Sequence, residues 1–141
     1  MIEIEITKEM QDIALFKSNE MGKLNNSITS GVGNFAGFLG EAMVAKYLRA
    51  QLVNTFDYDL IFDSIKIDVK TKRTDVKPKL YYECSVADFN TTQNCDWYVF
   101  TRVSNSFMRG WILGFLPKKA FYKKSVFHRK GDIDPSNFFI F

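Results

Sequence analysis

The stretch Asp59-Leu60-Ile61-Phe62-Asp63-Ser64-Ile65-Lys66-Ile67-Asp68-Val69-Lys70 alternates in character on either side of a short polar break. Period-2 alternation marks a strand with one buried face. Two such runs around Asp63-Ser64 predict a hairpin with a two-residue turn. In that register Phe62 pairs with Ile65, Ile61 with Lys66, Leu60 with Ile67, and Asp59 with Asp68. One face then carries Leu60, Phe62, Ile65, Ile67 and Val69 and belongs to the core. The other carries Asp59, Lys66, Asp68 and Lys70. Asp59 and Asp68 fall opposite each other with Cβ atoms ~5 Å apart, where like charges destabilise a sheet. Two remedies exist: a carboxyl that keeps its proton, or a cation between the pair. Lys70 supplies one positive charge, and a hard divalent ion such as Mg²⁺ prefers carboxylate oxygens.

On the amino-terminal side, residues 2–6 alternate and suit a short strand or the lead-in to a helix. Thr7 is an N-cap for a helix reaching about Gly22. Residues 23–34 are polar and glycine-bearing and read as a loop. A second helix is expected from Asn34 to Leu52, apolar almost all round in its first half and therefore central. Glu41 lies in it among Phe38, Ala42, Ala45 and Leu48. Taken alone, Glu41 reads as a helix-surface acid with apolar neighbours. A buried carboxylate there needs a partner, and the acidic face of the hairpin offers a shared cation. After the hairpin, strands are expected at Leu80–Ser85, Trp97–Val103 and Gly110–Phe115. Pro117 opens a short helix through Tyr122. A basic stretch then leads to the apolar end Phe138-Phe139-Ile140-Phe141, expected to dock on the sheet. The class is α/β: a mixed central sheet, flanked by helices, whose hairpin carries the site.

The chain has 141 residues, matching one domain spanning 1–141. Its 14 Phe, 6 Tyr and 2 Trp argue against disorder. Two cysteines, Cys84 and Cys95, and one histidine, His128, cannot build a thiolate or imidazole zinc cluster. A Ser-His-Asp triad would have to recruit His128 from a basic tail. No apolar run approaches the ~18 residues of a membrane span. The acidic, alternating amino end is not a signal peptide. A cytoplasmic location with free thiols is therefore expected. Net charge is +3, and the basic residues gather in two clusters. One holds Lys66, Lys70, Lys72, Arg73, Lys77 and Lys79; the other runs from Lys118 to Lys130. Such clusters suit either a phosphate backbone or two solvated faces.

Asp59 followed by Asp68-Val69-Lys70 resembles the Asp…(Asp/Glu)-x-Lys motif of the PD-(D/E)XK nuclease superfamily. Glu41, in Gly37-Phe38-Leu39-Gly40-Glu41, resembles the acid that many members place on a helix before the motif strands. The order of elements is similar over about residues 34–132. The resemblance implies a restriction-endonuclease-like fold and a Mg²⁺-dependent DNA nuclease, with Mn²⁺ able to take the place of Mg²⁺. It implies that Glu41, Asp59, Asp68 and the Val69 carbonyl hold the metal, and that Lys70 orients the attacking water or stabilises developing charge. Lys72, Arg73 and Lys77 become candidates for gripping DNA phosphates. A homodimer would let two sites cut two strands. The single-domain size keeps a Holliday-junction-resolvase-like nuclease for branched DNA open. An RNA-directed nuclease and an inactive DNA- or protein-binding module remain as alternatives. The sequence departs from the family pattern at Tyr58, where proline is usual. Asp57 is a second candidate for the first acid, read instead as a salt-bridge partner of Lys70. Some family members bring a Gln near Gln93 into the site, and junction-resolving relatives carry a functional Ser ahead of the Glu helix; Gln93 and Asn94 are read here as turn residues, Ser27 and Ser30 as loop residues, and Asp96 as a residue that caps or pins a strand.

Overall fold

The computed structural model describes residues 1–24, 32–53, 55–87, 90–129 and 138–141. The amino-terminal alternation forms strand β1 (Ile2–Glu5). Thr7 then caps helix α1 (Lys8–Leu24): its Oγ1 accepts the Met10 amide at 3.3 Å. Helix α2 (Val32–Leu48) is the buried helix its composition predicts. Met10 and Ala14 of α1 pack on its Ala36, Leu39, Ala42 and Met43. Val44 and Ala45, elsewhere on the same cylinder, pack against the sheet.

The helix ends at Leu48, four residues before the expected stop. Arg49 adopts φ 56°, in the left-handed region. Its amide donates to Lys46 O, and the Ala50 amide donates to Ala45 O at 2.9 Å, a Schellman closure. Released from the helix, Gln51–Leu52 forms strand β2. Strands β3 (Leu60–Phe62) and β4 (Ile65–Thr74) make the hairpin in the expected register, Leu60 with Ile67, Ile61 with Lys66, and Phe62 with Ile65. Asp63 and Ser64 both have positive φ, 48° and 68°, as a type I′ turn requires.

The third expected strand lies later than predicted. Residues 80–81 form a turn, with Leu80 and Tyr81 exposed, and strand β5 is Ser85–Ala87. Strands β6 (Trp97–Ser104) and β7 (Arg109–Pro117) follow as read, then helix α3 (Lys118–Lys124). The carboxyl-terminal apolar stretch does not merely dock. It forms strand β9 (Phe138–Ile140) between β5 and strand β8 (Val126–His128), making a second, 3-stranded sheet.

The main sheet has the order β1-β7-β6-β4-β3-β2. The β4–β6 pair is parallel and the other pairs are antiparallel, so the sheet is mixed. The fold class is therefore the α/β arrangement expected. Leu60, Ile67, Val69, Val99 and Ile112 face α2, whereas Phe62 of the supposed core face is 38% exposed. On the opposite face Tyr98 and Phe100 pack with Val86 and Phe121. The sheet is thus covered by helices on one side and by α3 with the small sheet on the other.

Gly40 sets how closely α2 approaches. A methyl group there would overlap Thr71 Oγ1 and lie 2.8 Å from Thr101 Oγ1. These hydroxyls sit side by side in the β4–β6 register, 2.7 Å apart, and Thr71 Cβ itself would lie only 3.0 Å from the added methyl. Gly40→Ala should therefore cost ~1–3 kcal/mol by overpacking. Ser64→Gly should stabilise by about 0.5–1 kcal/mol, because glycine removes the left-handed penalty. Urea unfolding of each variant reads both effects; an unchanged midpoint for Gly40→Ala would mean that the helix lifts freely from the sheet.

Candidate active site

The site begins where two paired strands differ in length. β3 has 3 residues and β4 has 10, so β4 runs on past its partner. Backbone amides on the uncovered side need acceptors. Asp59 supplies one: its Oδ2 accepts the Val69 amide at 2.8 Å. Its own amide donates to Ile67 O at 2.9 Å. The ladder therefore stops at Leu60–Ile67, and Asp59 is not the cross-strand partner of Asp68 that strict alternation predicts. The two carboxyls nevertheless meet, because the Asp59 side chain turns back over β4.

Asp59 also lies within hydrogen-bonding range of Glu41, which α2 delivers from the helix side of the sheet. Glu41 is 8% exposed and Asp68 is 3% exposed. Glu41 is therefore not a helix-surface acid; the close approach of α2 at Gly40 buries it. Removal from water pushes Glu41 up to about 7. Burial, reinforced by the Glu41 charge, raises Asp59 to about 7. Burial raises Asp68 to about 7 despite Lys70 beside it. At neutral pH the cluster holds protons that exposed carboxyls would have released.

Lys70 Nζ lies 2.6 Å from Asp68 Oδ2. It donates to Gln93 Oε1 at 3.1 Å and sits 6.0 Å from the centre of the Tyr98 ring. Gln93 is buried; its Nε2 donates to Phe56 O at 2.7 Å, and its own carbonyl accepts from Lys118 Nζ. Gln93 is thus a brace for Lys70 and not only a turn residue. Lys17 of α1 is a group near the acids that the sequence did not reveal. The charges of Glu41 and Asp59 bear on it, and burial pulls its pKa down. Its signal was hidden because which helix lies over Glu41 is a tertiary fact.

Other expected roles divide. Lys72 is exposed and shares a face of β4 with Asp68 and Lys70. Arg73 faces the other way, its guanidinium 5.4 Å from the Phe107 ring centre. Lys77 is exposed in the loop after β4. Asp57 does not pair with Lys70; its Oδ1 accepts the Asn94 amide at 3.1 Å. Asp96 does pin a strand, accepting the Lys66 amide at 2.9 Å. Cys84 and Cys95 are free thiols. Ser27 and Ser30 lie outside the described residues. Trp111 belongs to the core.

The donor chemistry suits a hard divalent ion, since the groups of the cluster are carboxylates. Asp68 Oδ2 is the most telling atom. It is buried, and its partner is the Lys70 ammonium at 2.6 Å. Among the described residues no three or more His, Cys, Asp or Glu side chains are grouped so that they could hold a metal ion as they stand. The acids instead form a chain of neighbours, Glu41 to Asp59 to Asp68, and Lys70 occupies the Asp68 end.

Among the described residues no helix is long and apolar enough to cross a membrane. Compared with protein-family models and with curated proteins, the chain matches none.

The raised carboxyls tie stability to pH. Glu41 rises from 4.5 to about 7 on folding, so the folded protein binds more protons than the unfolded chain in that interval. The stabilisation is complete below the unfolded value and is lost as pH climbs through about 7. In chelator, the unfolding midpoint should fall between about pH 5 and about pH 8, and Glu41→Gln should flatten that fall. Equal slopes for the two proteins would show that Glu41 does not titrate in this range.

Proposed function

We propose that the protein is a metal-dependent phosphodiesterase of the PD-(D/E)XK type, acting on DNA. The observation that carries this reading is the buried chain of neighbours Glu41, Asp59 and Asp68, which ends on Lys70, 2.6 Å from Asp68 Oδ2. The hairpin register and the helix origin of Glu41 support the same resemblance. Glu41, Asp59, Asp68 and the Val69 carbonyl would hold Mg²⁺ or Mn²⁺. When bound, such an ion supplies Lewis acidity toward a phosphate oxygen and makes water more acidic.

The chain's own groups do the remaining work. Lys70 Nζ, held by Gln93 Oε1, is the donor facing charge that develops on the phosphate. The Asp68 carboxylate keeps that amine from swinging away. Asp59 stays in place through the Val69 amide, so its second oxygen faces the site. Glu41, raised to about 7 by burial, would have to give up its proton to serve as a metal ligand. Water attacks the phosphorus in line and loses its proton to solvent, the P–O bond on the opposite side breaks, and the leaving oxygen takes up a proton from solvent, with no covalent link to the protein.

The test uses supercoiled plasmid and branched DNA with Mg²⁺, with Mn²⁺, and with chelator. Cutting should require the metal, and Asp68→Asn and Lys70→Met should each slow it by ~10²–10³-fold. Cleavage indifferent to both substitutions would sink the reading. DNA binding without cutting in either metal would favour a binding module that keeps Asp68–Lys70 only as an ion pair.

A further inference from the structure

The sheet face that carries Asp68 has a cleft beyond Lys70. Its floor is the parallel pair β4–β6, and its far wall is β5 with Asn90 after it; its volume is about 170 Å³. Strand alternation puts Lys70 and Lys72 on this side of β4, and the register sets Arg102 of β6 beside Lys72. Phe100 and Leu113 supply an apolar base. The concavity thus gathers Lys70, Lys72 and Arg102 from both central strands, with the acid Glu83 on its rim, and shares Lys70 with the candidate site.

Arg102 is held in place within it. Its Nη2 donates to Glu83 O at 2.7 Å, and its Cζ stacks 5.6 Å from the Tyr82 ring centre. A guanidinium is a planar fork with several N–H groups, so one carbonyl bond and one ring contact leave donors for an anion. Spacing adds a second argument. Residues i and i+2 of a strand stand about 6.6 Å apart. That step is comparable to the separation of successive phosphates along an extended nucleic-acid strand. A phosphate at Lys70 would therefore have its neighbour over Lys72 and Arg102.

We propose that this cleft is a subsite for the phosphate adjacent to the one cut, with Lys72 and Arg102 as its ligands. The ligand is a nucleic-acid strand lying along β4, and the proposal rests on the phosphodiesterase reading above. Arg73, on the opposite face, takes no part in it.

The experiment measures anisotropy of a labelled single-stranded oligodeoxynucleotide in chelator over a series of salt concentrations. Lys72→Gln and Arg102→Gln should each weaken binding about tenfold at low salt, and each should lower the salt slope by about one. Lys8→Gln, which removes one charge at the start of α1, should change neither. Arg102 also braces Glu83 and Tyr82, so melting curves check that its variant folds. Lys72 is exposed, and its variant decides the matter if the other unfolds. Wild-type affinity and slope for folded Lys72→Gln would overturn the subsite even if the protein cuts DNA. Weakened binding by Lys72→Gln in a protein that never cuts would keep the subsite and remove the hydrolytic reading.

Discussion

Carboxyl groups drawn out of water at the end of a short strand are what the surrounding structure has to accommodate. β3 stops, β4 continues, and the exposed amide of Val69 is met by Asp59 rather than by another strand. That bond holds one carboxyl between two others. Their mutual repulsion and their burial act together, and each raises the cost of the charged form. The cluster is therefore balanced by positive partners: protons and Lys70.

Both layers around the sheet hold the cluster together. On one side, α2 lies close enough at Gly40 that Glu41 reaches the sheet edge. On the other, the segment before β6 braces Lys70 through Gln93. Lys118 at the start of α3 binds the Gln93 carbonyl through its side chain and the Asp96 carbonyl through its amide. Asp96 in turn holds the first residues of β4. Displacement of α3 would thus be felt at the amine beside Asp68, although α3 contributes no acid.

Much of this was legible along the chain, and the exceptions are physical. The hairpin could be read because one register alone collects Leu60, Ile67 and Val69 on one face. The positions of Asp68 and Lys70 followed from it. The true position of Asp59 did not, because alternation cannot foresee a ladder that ends early. Glu41 was ambiguous alone, since a helix buried on most sides gives no polar face against which to judge it. The end of α2 carried no glycine; Arg49 takes the left-handed position, and only tertiary packing selects it. Lys17 and Gln93 sit in helix and turn contexts that look ordinary until the elements meet.

The order in which parts leave the ribosome adds a last consequence. Every strand of the large sheet is complete by Pro117, whereas the middle strand of the small one waits for Phe138–Ile140. Synthesis proceeds from the amino end at ~5–20 residues per second, so the acidic centre can assemble before β5 finds its neighbour. A nascent chain would pass through a stage that owns the carboxyl cluster but lacks the finished wall beside Arg102.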